Sequence, residues 1–202
     1  CPRCSQDMDP WGDHTLLCSR HGLEVRTKFW HDPITRSIAR LLRMAGCTTR
    51  MEAPPPPSHI RTNKRTDILV TSPTGRGMTI CDIRTAVCTQ PSIIKHSSVI
   101  PGHAALLGQI SKKRDWEQVA YHSGSSFTPL VVEDAGRLGP DLVNLIQETT
   151  FASSPSGYTS AASLTYAWQL IHITNARGVA DTILRNPSPA SASGNPVLFR
   201  DP

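Results

Sequence analysis

Residues 66–84 read TDILVTSPTGRGMTICDIR, two short apolar runs that each carry one aspartate, Asp67 and Asp82. Pro73, Gly75 and Gly77 lie between them, so the runs read as the strands of a hairpin, near 66–71 and 78–87. Carboxylates are depleted in strands and seldom buried without a partner. Two on paired strands are a cost to be explained or a site. Held a few ångströms apart, they repel and raise each other's pKa. A hard divalent cation relieves that repulsion, and Mg²⁺ typically sits on one or two carboxylates together with phosphate oxygens and water. Such an ion activates water and stabilises the leaving oxygen in phosphodiester hydrolysis. A nearby lysine would complete the set by holding the water or the developing charge. The position two after Asp82 is Arg84, which stabilises charge but is a poor proton shuttle. Lys112 and Lys113 are the candidates, on a later helical stretch. At about 100° per residue, Lys113 falls on the face of Leu106, Ile110 and Ala120, and Lys112 flanks it beside Trp116.

The N-terminal residues CPRCSQDMDPWGDHTLLC give Cys1-x2-Cys4-x9-His14-x3-Cys18. Structural zinc takes four Cys or His ligands in a tetrahedron, and a CxxC knuckle supplies two from one turn. His14 and Cys18 stand one helical turn apart and can face the same ion. His21 is an alternative to His14, because Cys18-x2-His21 is also a permitted knuckle. So short a segment buries no core, so the metal would supply its folding energy. Cys47, Cys81 and Cys88 have no framework spacing, which argues against a secreted disulfide scaffold.

These groups must be carried by a fold. The chain has 202 residues, enough for one ordinary domain with appendages, and a net charge of +5, which favours an anionic partner. No run approaches the roughly 18 apolar residues of a membrane span, and no signal peptide is visible. The chain starts at Cys1 rather than Met, which reads as an excerpt from a longer polypeptide. Asp32 and Pro33 read as the N-cap and first turn of a helix over 32–46, with Ile34, Ile38, Leu41, Leu42 and Ala45 at helical spacing. Pro54 to Pro57 form a stiff spacer. Residues 88–101 read as a loop, 102–122 as a helix with an apolar face through Leu106, Leu107, Ile110, Trp116, Val119 and Ala120, and 128–133 as a strand buried on both faces. Helices follow at 141–148 and 159–185, then a Pro-, Ser- and Ala-rich tail read as disordered. This order of elements predicts an α/β fold, a sheet layered with helices.

Taken in order, CxxC…DPWGDHTLLC, the His31-Asp32 pair, RTDILV, GMTICDIRTAV, the KKRDW helix and FTPLVVEDAG resemble one family. It is the restriction-like endonuclease domain, PD-(D/E)xK type, at the C-terminal end of non-LTR (LINE-type) retrotransposon polyproteins. The resemblance covers about residues 1–140, and more weakly the helix around 164–185. It implies a restriction-endonuclease-like mixed sheet flanked by helices over 23–150, preceded by a small CCHC zinc knuckle over 1–22. A helical extension over 151–185 and the tail over 186–202 would follow. By resemblance, Asp67 and Asp82 are the catalytic acids and hold Mg²⁺, and Lys112 or Lys113 is a lysine displaced onto the following helix. Cys1, Cys4, His14 and Cys18 are the implied zinc ligands, His14 being favoured by the family's DH-x3-C segment. His31 and Asp32 match a His-Asp pair that opens the first helix, where Asp32 is read as a cap. Thr66 and Trp116 depart from the family's proline and tyrosine. The implied activity is nicking of target DNA in the nucleus, the freed 3′ hydroxyl priming reverse transcription of element RNA bound by upstream domains of the polyprotein. Two other readings stand beside it: a catalytically inactive, zinc-dependent nucleic-acid-binding module, and a host-domesticated protein that uses an apolar surface patch for protein contacts.

Overall fold

The structure is a computed structural model that describes residues 4–7, 9, 12–18, 22–58, 62–72, 77–152 and 157–185. Four strands form one mixed sheet whose spatial order follows the sequence. β1 (Thr48–Ala53), β2 (Thr66–Thr71) and β3 (Met78–Ala86) are antiparallel neighbours, and β4 (Ser126–Glu133) lies parallel to β3. A parallel pair needs a crossover. It is supplied by the one-turn helix α4 (Ile94–Ser97) and the long helix α5 (His103–His122). Pro129, with no N–H to give to a ladder, is tolerated because β4 is an edge strand.

The strands are apolar on both sides because both sides are covered. Ile68, Val70, Cys81, Ile83, Leu130 and Val132 pack with α3 (Asp32–Met44), α6 (Pro140–Ala152) and α7 (Gly157–Leu184). Leu69 and Ile80, on the alternate positions, pack with Trp116, Val119 and Ala120 of α5. The chain is therefore α/β, a four-stranded mixed sheet flanked by helices. Among the described residues no helix is long and apolar enough to cross a membrane.

Several elements differ from the sequence reading. β1 occupies a stretch assigned no strand; its charged Arg50 and Glu52 point to solvent, so its apolar signal is thin. The predicted loop at 88–101 contains α4. The tail over 186–202 lies outside the described residues. Most important for the site, the first long helix does not open at Asp32. A helix α2 (Gly22–Arg26) passes through a π-helical turn (Thr27–His31) directly into α3. Asp32 has helical φ −64° and ψ −40°, so it caps nothing. The widened turn answers Pro33, whose ring would collide with the Phe29 carbonyl in a regular helix and which has no N–H to bond it. α7 braces this turn. Gly178 packs so closely that an added Cβ would lie 2.9 Å from Trp30 Cα, and Trp30 Nε1 donates to Asn175 Oδ1 at 2.7 Å. Asn175 Nδ2 in turn donates to the Glu133 carbonyl at the end of β4.

Candidate functional site

Strand register assembles the acids. Ile68 pairs with Cys81, which puts Asp67 and Asp82 side by side across β2 and β3, on the face that carries Leu69, Ile80 and α5. The backbone N–H of Ile83 donates to Asp67 Oδ2 at 2.5 Å. Asp82 is 5% exposed. Its Oδ2 forms an ion pair with Lys112 Nζ and carries no aligned hydrogen bond.

The lysines separate cleanly. Lys112 meets Asp82, whereas Lys113 turns away to Asp141, at 3.1 Å. This corrects the helical face read from sequence. Leu106 and Ile110 are 48% and 55% exposed, and Leu107 is exposed too. The side of α5 turned to the sheet is the stripe Ala105, Gly108, Lys112, Trp116 and Val119, at successive helical steps. Small residues there let the helix approach: a Cβ on Gly108 would meet Val131 Cγ1 at 3.0 Å. Trp116, Val119 and Ala120 of the predicted face are buried as expected, but Leu106, Leu107 and Ile110 were placed on it because size was taken for burial.

The environment drives the two carboxyls apart. Burial, and then the charge of Asp67, push Asp82 up to about 6 against the pull of Lys112. Burial alone would raise Asp67 as well. The His31 hydrogen bond and charge, the Ile83 N–H and Lys112 overcome it and hold Asp67 below the usual carboxylate range. His31 lies at the end of the π turn, with Nε2 3.3 Å from Asp67 Oδ2 and Nδ1 3.2 Å from Asp32 Oδ1. Burial would lower its pKa, but the two carboxylates raise it overall. Asp32 therefore orients His31 rather than capping a helix.

The remaining sequence candidates are structural. Thr66 is buried and donates to the Ala53 carbonyl of β1. Trp116 belongs to the core beside Phe127, with Lys64 Nζ 5.6 Å from its ring centre. Glu133 Oε1 accepts the Ala105 N–H at 2.8 Å, satisfying a first-turn donor of α5 with a fixed carboxylate.

The N-terminal cluster is distinct from this centre. Ligand atoms of Cys4, His14 and Cys18 all lie within 4.8 Å of one another, and Cys4 Sγ is 3.1 Å from His14 Nε2. Among the described residues this is the one group of three or more such side chains gathered to hold a metal, and the donor set suits zinc. Cys1 and the alternative His21 lie outside the described residues. The group rides on the short helix α1 (Asp13–Leu17), whose start is held by Asp9: its two carboxylate oxygens accept the N–H groups of Asp13 and His14. Sequence reasoning missed Asp9, although an Asp shortly ahead of a helix start is a usual capping signal. Leu16 anchors the helix in the main core. Neither a family model nor a curated protein sequence matches the chain.

Proposed function

We propose that this chain is a divalent-metal-dependent endonuclease that nicks DNA, with Asp67, Asp82 and Lys112 at its centre. The observation that carries the reading is the Asp67–Asp82–Lys112 grouping: two carboxylates from paired strands and one ammonium from the crossover helix. The donors fit Mg²⁺, which commonly uses one or two carboxylates and completes its shell with water and phosphate oxygens. Burial first and the charge of Asp67 second raise the Asp82 carboxyl, and a cation would offset both. When bound, the ion would activate water and neutralise charge on the leaving oxygen. Asp67 and Asp82 are the residues that would hold it. Lys112, whose ammonium pairs with Asp82, would stabilise developing negative charge. His31 fixes the orientation of Asp67. The resemblance drawn from sequence adds the restriction-like fold, a fourth zinc ligand at Cys1, nuclear target DNA and a role in priming reverse transcription within a longer polyprotein.

A second reading has its own support. The Cys4–His14–Cys18 cluster lies apart from the acidic centre and does not depend on it, and the net charge of +5 favours an anionic partner. The chain would then be a zinc-dependent nucleic-acid-binding module. A nicking assay on supercoiled plasmid, with Mg²⁺ or Mn²⁺ against EDTA, separates the two. Metal-dependent nicking that is lost in Asp82→Ala is expected. A folded, zinc-loaded wild type that binds DNA but never nicks it would favour the binding module.

A further inference from the structure

β3 runs on beyond the end of β2. β2 begins at Thr66, opposite Ile83, so among the described residues Arg84 to Ala86 have no strand partner on that side. Arg26 fills the vacancy in the ladder. From α2 it donates to the Leu16 carbonyl at 3.1 Å and, at 3.5 Å, to the Thr85 carbonyl of the open edge. Beside it is a cavity of about 250 Å³ lined by Arg26, Arg84, Thr85, Gln90, Leu107 and Gly108. Two guanidinium groups thus share one cavity. Arg26 Nε is buried with no hydrogen-bond partner. Arg84 is exposed, and its stem passes Gly108 so closely that a Cβ there would lie 3.3 Å from Arg84 Cδ. Burial first, and the charge of Arg84 second, lower the pKa of Arg26; Asp134 opposes this weakly. An unpaired donor and two like charges lining one cavity, with the Arg26 guanidinium over the Trp30 ring at 5.9 Å, describe a place for an anion.

The position of the cavity says which anion. Arg84 lies two residues beyond Asp82 on the same strand and on the same face, about 6.6 Å along the sheet. That is the scale of one step along a nucleic-acid backbone. We infer that the Arg26–Arg84 cavity holds the backbone phosphate next to the one at Asp67, Asp82 and Lys112, setting the register of the strand. The inference rests on the nucleic-acid reading of that centre. It also gives Arg84 a role other than the proton shuttling for which arginine is unsuited.

The test is a binding titration of the zinc-loaded full chain with a short fluorescein-labelled DNA duplex, in chelator-free buffer without Mg²⁺ or Mn²⁺ and over a salt series. Wild type is compared with Arg84→Gln, Arg84→Lys and Arg43→Gln, the last removing an exposed charge at the far end of α3. Arg26 is left intact, because it also closes the edge of β3. Arg84→Gln should weaken binding roughly tenfold, and should lower the slope of log affinity against log salt by about 0.9, one phosphate contact. Arg84→Lys should restore the slope but not the full affinity. Arg84→Gln indistinguishable from Arg43→Gln would overturn the inference, as would Arg84→Lys behaving like Arg84→Gln, since packing rather than charge would then be at stake. The nuclease reading fails separately. Wild type that never nicks plasmid in Mg²⁺, yet shows the Arg84-dependent slope, loses the nuclease and keeps the phosphate site.

Discussion

The Cys4–His14–Cys18 cluster and the Asp67–Asp82–Lys112 centre gather polar side chains by opposite means. The first lies within one short segment around a five-residue helix. The second draws Asp67 from β2, Asp82 from β3, Lys112 from α5 and His31 from the π turn. A local cluster of thiols and imidazole has little to hold it except a ligand. A dispersed centre is held by the sheet whether or not a ligand is present. On the nuclease reading, losing metal should therefore damage folding at the first and chiefly chemistry at the second.

The largest effect is expected at the cluster. Cys18 is buried, and Cys18→Ser would remove a ligand from a site of the kind that contributes about 10–16 kcal/mol in isolated zinc peptides. Part of that is replaced here by the packing of Leu16 in the main core. Zinc content measured by mass spectrometry should fall to background, and Tm should drop by about 10 °C, which is a few kcal/mol in a chain of this size. Asp82→Ala should keep its zinc. Full zinc content and an unchanged Tm in Cys18→Ser would erase the contrast between the two regions.

The same contrast explains what could be read from sequence. The Cys4–His14–Cys18 part of the cluster was legible because its spacing is local: the four-residue step from His14 to Cys18 needs no knowledge of the fold. The acids were legible because the strands are consecutive and antiparallel, so register follows from the hairpin. The choice between Lys112 and Lys113 was not legible. It depends on how α5 rolls on the sheet, and that is set by Ala105 and Gly108, whose smallness is what brings the helix close. The π turn was hidden for a similar reason. Asp32-Pro33 looks like a helix start, and only the packing of Gly178 and Asn175 against Trp30 keeps the helix running through it.

Next in size is the brace that holds His31 in place. Asn175 is buried and accepts the Trp30 N–H while donating to the Glu133 carbonyl. Asn175→Ala leaves the indole donor orphaned, at about 1–3 kcal/mol. A fall in Tm of roughly 5 °C is expected, by differential scanning calorimetry, at 2–4 °C per kcal/mol. Nicking should fall as well, since the turn that carries His31 is loosened. Normal nicking in a destabilised Asn175→Ala would show that His31 does not need this brace.

A smaller effect depends on pH. The Asp82 carboxyl has a higher pKa folded, about 6, than its ordinary 3.8. Between these values the native state binds the proton more tightly, so this group's contribution to stability falls as pH rises. Asp82→Asn removes the titration. In metal-free buffer the Tm of wild type minus that of Asp82→Asn should decline from pH 4 to about pH 6 and then level off. A constant difference would mean that burial and Asp67 together do not raise the Asp82 carboxyl. Adding Mg²⁺ should raise the wild-type Tm above pH 6 and leave Asp82→Asn nearly unchanged.

The sharpest test of the centre's geometry ends on the smallest effect, that of Lys113, because two adjacent lysines should differ almost completely. Lys112 is largely buried on Asp82, and Lys112→Ala leaves that carboxylate without its counter-charge and the reaction without its cation. Nicking should drop by about a hundredfold or more, the scale of losing one electrostatic stabiliser. Lys113 is 45% exposed and pairs with Asp141 at 3.1 Å, on the α6 side. Such exposed pairs contribute about 0–1 kcal/mol. Lys113→Ala should change Tm by no more than about 4 °C, and its nicking rate should stay close to that of wild type. Equal losses from both substitutions would mean that the basic run acts as a diffuse charge on DNA. Loss from Lys113→Ala alone would mean that α5 is rolled by one position from the arrangement described.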